Sequence, residues 1–149
     1  MNLSTLNPNR LLVLDDDEKM LALVEKIAGL IGFETAGVTS STAFIEKYKE
    51  MSPTVVIVDR FLQGEDSAQS VIAFLDLSRF QGGIILFSGF DPHFLDTLSK
   101  LAADKDLQVL GIIEKGRNIG EIGKLLQAAH LGALSSSTPA EVHNRKPSI

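Results

Sequence analysis

Five short apolar runs punctuate the chain, at Leu11–Leu14, Thr35–Val38, Val55–Val58, Ile84–Phe87 and Val109–Ile113. Three of them (LLVL, VVIV and IILF) are apolar at every position rather than at alternate ones. That pattern predicts strands covered on both faces, as in a parallel sheet flanked by helices. The run at Thr35–Val38 is more polar and predicts an edge strand.

Helical spacing fills the intervals. Met20, Leu23, Val24, Ile27, Ala28 and Ile31 share one face of a first helix, which Gly32 stops. A second helix begins near Ser40–Ser41, carries Phe44, Tyr48 and Met51 inward, and ends before Pro53. A third runs from about Ser67 with Val71, Ile72 and Leu75 facing inward. Asp91-Pro92 opens a fourth, pairing an N-cap residue with proline at the first helical position. Asn118-Ile119-Gly120-Glu121 reads as a variant capping box opening a fifth, with Ile122, Leu125, Leu126 and Ala129 at helical spacing.

The order is (βα)5, an α/β chain whose right-handed crossovers make a doubly wound parallel five-stranded sheet. Strands one, three, four and five are expected side by side. No internal repeat is visible. From about Ser135 the chain has few apolar residues and no period, the composition of a disordered tail or linker. The expected division is an N-terminal extension over 1–9, one folded domain over 10–131, and the tail or linker over 132–149.

Composition narrows the class. With 149 residues, 44% hydrophobic and 22% charged, the chain has the balance of one globular domain. No apolar run is long enough to cross a bilayer, and Met1–Arg10 has no secretory pattern. A cytoplasmic, membrane-free protein is expected. The absence of cysteine removes disulfides, thiol nucleophiles and thiolate metal sites. A net charge of −5 argues against direct nucleic-acid binding, which needs a basic face. His93, His130 and His143 lack ligand-like spacing and read as ordinary surface histidines.

Chemistry concentrates at the ends of the runs, where doubly wound sheets bind ligands. Asp15, Asp16 and Asp17 follow the first, Asp59 the third, Ser88 the fourth and Lys115 the fifth. Crowded carboxylates repel unless a cation neutralises them. Mg²⁺ suits such a place, taking one or two carboxylates, waters and a phosphoryl oxygen. Asp15, Asp16 and Asp59 would form the metal half of a pocket; Ser88 and Lys115 would form its phosphate half. Singly, each residue has an ordinary explanation, and helix capping is the expected role of Asp17. Their coincidence at successive strand ends carries the reading.

Over residues 10–131 the sequence resembles the response-regulator receiver family of two-component signalling. LLVLDDDEKM resembles its first strand and acidic pair, VVIVDRFLQGEDS its phosphoacceptor strand and loop, and IILFSG and GIIEKG its hydroxyl and lysine segments. The resemblance implies a flavodoxin-like strand order 2-1-3-4-5 and Mg²⁺ held by Asp15, Asp16, Asp59 and the backbone carbonyl of Phe61. It implies phosphorylation of Asp59 by a histidine kinase or phosphotransfer protein, with Ser88 and Lys115 binding the phosphoryl oxygens. It also implies a signalling domain rather than an enzyme, contacting a downstream effector protein or domain, with homodimerisation left open.

The sequence departs from the family at Gln63, Ser67 and Gly116, and at Ile112, where the family usually has an aromatic switch residue. Phe61 and Phe90 fall two residues after Asp59 and Ser88, positions from which bulky side chains would slow hydrolysis of the phosphoryl group. The family's output surface corresponds here to the region of His93, Asp96, Lys100, Asp104, Lys105, Glu121 and Lys124. Two rival readings remain. One is an interaction module that is never phosphorylated. The other is a haloacid-dehalogenase-like phosphatase using Asp15 as nucleophile, which lacks that family's Thr or Val at Lys19.

Overall fold

The computed structural model describes residues 8–59, 68–88, 100, 107–114 and 119–130, Ser88 by its backbone alone. The strands are β1 (Arg10–Leu14), β2 (Glu34–Val38), β3 (Val55–Asp59), β4 (Gly83–Ser88) and β5 (Gln108–Glu114). The helices are α1 (Glu18–Ile31), α2 (Ser41–Met51), α3 (Ala68–Leu77) and α4 (Glu121–Ala129). All strand pairs are parallel, in the order β2-β1-β3-β4-β5, as expected. The polar run Glu34–Val38 is an edge strand.

Alternate residues of the apolar strands feed two separate cores. Leu12, Leu14, Val56, Val58, Ile84 and Leu86 pack with Phe44 of α2 and with Val71, Ile72 and Leu75 of α3. Leu11, Val13, Val55, Ile57, Ile85 and Phe87 pack on the other face with Leu21, Val24 and Ala28 of α1 and Ile122 and Leu126 of α4. Both cores need apolar side chains, which is why β1, β3 and β4 do not alternate.

The helix ends follow local chemistry. Asp17 caps α1, accepting from the Lys19 N–H at 2.9 Å, and Gly32 ends it in the left-handed conformation at φ 118°. The Ser40 hydroxyl caps α2 by accepting from the Ala43 N–H at 3.1 Å. α2 stops at Ser52, left-handed at φ 48°, just before Pro53.

Several expectations need correction. Leu23, assigned to the inner face of α1, is exposed. The last helix starts at Glu121 behind Gly120, which makes no side-chain cap hydrogen bond, and Asn118, the first residue of the expected capping box, lies outside the described residues. β5 carries a bulge: Ile84 pairs with Val109 but Ile85 with Gly111, leaving Leu110 as the extra residue. The helix expected from Asp91-Pro92, the start expected near Ser67, residues 1–7 of the expected extension 1–9 and the whole expected tail or linker 132–149 lie outside the described residues. Among the described residues, no helix is long and apolar enough to cross a membrane.

Candidate functional site

The site is built where β1 and β3 end. Leu14 pairs with Val58, so Asp15 and Asp59 occupy neighbouring positions one step further along adjacent strands. The Asp15 N–H continues the sheet by donating to the Val38 carbonyl at 3.1 Å. Its side chain turns inward, and Oδ1 accepts from the Asp17 N–H at 2.8 Å. Asp59, the last residue of β3, pairs with Phe87 of β4. Both carboxylates are fully buried, whereas Asp16 is exposed.

One carboxylate oxygen from each of Asp15, Asp16 and Asp59 can be chosen so that all three lie within 4.8 Å of one another. Oδ2 of Asp15 and Oδ2 of Asp59 are buried atoms that accept no hydrogen bond, although both residues have other interactions. Removing two carboxylates from water costs several kcal/mol each unless opposite charge compensates. Two oxygens sharing an octahedral Mg²⁺ stand at most about 4.2 Å apart, at roughly 2.1 Å from the ion. The 4.8 Å bound on the three oxygens lies close to that limit. The three aspartates therefore fit a hard divalent cation in number and charge, and their spacing comes near what one needs.

Asp17 stands outside this cluster, its carboxylate engaged at the start of α1 as expected. Its backbone contact with Asp15 escaped the sequence reading, because an N–H donor leaves no mark in residue type. Ser88 follows Phe87, the partner of Asp59, and itself pairs with Glu114. The backbone of Ser88 thus reaches the same end of the sheet. Its side chain, together with Phe61, Phe90 and Lys115, lies outside the described residues, as do Gln63, Ser67 and Gly116. Ile112 lies on β5 opposite Leu86, 41% exposed.

No family model and no curated protein sequence matches the chain. Solved structures do. A CheY-like response regulator receiver domain protein from Methanospirillum hungatei JF-1 is 16% identical, with 87% of this chain and 98% of that one covered at a TM-score of 0.69. A response regulator from Colwellia psychrerythraea is 23% identical over 80% of this chain and 94% of that one, TM-score 0.66. The BeF3-activated N-terminal receiver domain of Klebsiella pneumoniae RstA is 19% identical over 81% and 97%, TM-score 0.64. Strand order, layering and these superpositions agree: this chain has the fold of response-regulator receiver domains.

Proposed function

We propose that the chain is a response-regulator receiver that accepts a phosphoryl group on Asp59 in a Mg²⁺-dependent reaction. The observation that supports this most is the gathering of Asp15, Asp16 and Asp59 from two strand ends within 4.8 Å. Bound Mg²⁺ would neutralise the carboxylates and draw charge from the phosphoryl oxygens. Asp15 and Asp16, just beyond β1, would hold the cation, and Asp59 would contribute a ligand oxygen as well as the nucleophile. An Asp59 oxygen forms the new P–O bond as the P–N bond to the donor's phosphohistidine breaks, releasing imidazole. The Phe61 carbonyl would add a further ligand beside waters, and Ser88 and Lys115 would bind the phosphoryl oxygens.

The domain spans about residues 10–131 and works in the cytoplasm. It takes phosphate from a histidine kinase or phosphotransfer protein and passes the signal to an effector through protein contact. Ile112 gives its switch an aliphatic, solvent-facing residue in place of a ring. Phe61 and Phe90 shield the phosphoryl group from water and lengthen its life.

Intact mass after treatment with acetyl phosphate and Mg²⁺ tests the reading. The wild type and Asp15→Asn, the latter more slowly, should gain one phosphoryl group, and Asp59→Asn none. Modification that survives in Asp59→Asn but vanishes in Asp15→Asn would establish the phosphatase-like nucleophile instead. No modification of any variant would leave an unphosphorylated interaction module.

A further inference from the structure

Asp17 makes three connections at the start of α1. Its carboxylate accepts from the Lys19 N–H at 2.9 Å, and its carbonyl accepts from the Leu21 N–H at 3.1 Å. Its own N–H donates to Oδ1 of Asp15 at 2.8 Å. The first two fix the residue's extended backbone, φ −98° and ψ 109°, as an N-cap requires. That same backbone sets the direction in which the N–H points. The helix cap and the aim of a buried carboxylate are therefore two consequences of one conformation.

We infer that Asp17 is a positioning residue for the cation site: by capping α1 it holds its N–H against Asp15 and keeps that carboxylate turned toward Asp16 and Asp59. The inference rests on the receiver reading of the three-aspartate cluster. Asp17 contributes no ligand itself, and its negative charge is not what matters. What matters is an oxygen acceptor at the cap. Without one, the first turn of α1 frays, the Asp17 N–H loses its fixed direction, and Asp15 is free to rotate.

Charge and capping separate experimentally. Asp17→Asn and Asp17→Ser remove the charge and keep a capping acceptor, whereas Asp17→Ala removes both. In calorimetric titrations of the folded full chain with Mg²⁺, Asp17→Ala should weaken binding roughly fivefold, the affinity equivalent of one lost N-cap. Asp17→Asn and Asp17→Ser should stay within about twofold of wild type. Ile27→Ala, which loosens α1 two turns from its start, should leave the affinity unchanged.

Equal weakening in all three Asp17 variants would mean a plain charge effect and overturn the inference, as would no weakening in any. Loss of affinity in Ile27→Ala as large as in Asp17→Ala would assign the effect to general stability and overturn it equally. Asp59→Asn runs alongside. If Mg²⁺ binds the wild type and Asp59→Asn equally well, or binds neither, the receiver reading itself falls and the inference with it.

Discussion

Asp15 and Asp59 follow the paired residues Leu14 and Val58 on adjacent strands, so two carboxylates with no exposed surface stand side by side at one end of the sheet. Like charges brought together out of water oppose folding unless a cation joins them. Asp59→Asn should therefore raise stability in Mg²⁺-free buffer by about 1–2 kcal/mol. Mg²⁺ binds only the folded wild-type site, so adding it should stabilise wild type more than the variant and shrink that gap. Urea unfolding with and without Mg²⁺ measures both; a variant less stable than wild type without the ion would refute the repulsion.

Two glycines of opposite character test the packing at the other end of the sheet. A Cβ on Gly82 would stand 2.1 Å from the Thr54 carbonyl oxygen, which also accepts from the Gly83 N–H at 3.1 Å. The backbone cannot yield without breaking the entry of β4 beside β3. Gly82→Ala should cost about 3 kcal/mol by overpacking. Gly29, inside α1, has nothing within 4 Å of an added Cβ, and Gly29→Ala should gain about 0.5–1 kcal/mol through helix propensity. Thermal unfolding of the pair gives opposite signs.

The sheet was legible because β1, β3 and β4 are buried on both faces, and only continuous apolar runs satisfy two cores at once. The acidic cluster was legible because Asp15 and Asp59 directly follow such runs and Asp16 comes next after Asp15. Helix faces were less clear: Leu23 fits the apolar stripe of α1 by spacing, yet it reaches solvent. A stripe wider than the buried face cannot be trimmed from periodicity alone. The bulge at Leu110 was invisible for a related reason. In Val109–Ile113 every residue is apolar or glycine, so inserting one extra residue leaves the pattern unchanged.

Arg10 ties the start of β1 to the end of α2. Its Nε donates to the carbonyls of Met51 and Ser52, both at 2.9 Å, where α2 runs out of intrahelical donors. A cation at this end also complements the helix dipole. Arg10→Ala should cost about 1–2 kcal/mol. Arg10→Lys should recover only part of that, because an ammonium lacks the rigid planar donor geometry. Denaturant midpoints of the three proteins should fall in the order Arg, Lys, Ala.

Tyr48 supplies a pH dependence whose sign can be worked out. It is the only tyrosine in the chain, and its ring packs at 5.0 Å from Phe74, 5.9 Å from Phe80 and 6.3 Å from Phe44. Burial disfavours the phenolate and raises its pKa above the ordinary 10.0. The folded state then holds the phenolic proton more tightly than the unfolded state. The stability tied to that proton is fully present below pH 10 and is lost as pH rises through the folded-state value. Wild type should weaken over that interval, with the change in tyrosinate absorbance displaced to higher pH than in the unfolded chain. Tyr48→Phe keeps the ring contacts and removes the ionisation, so its stability curve should fall less steeply above pH 10. Equal alkaline slopes in the two proteins would show that the loss arises elsewhere, and an undisplaced absorbance change would show that the phenol is fully solvated in the folded state.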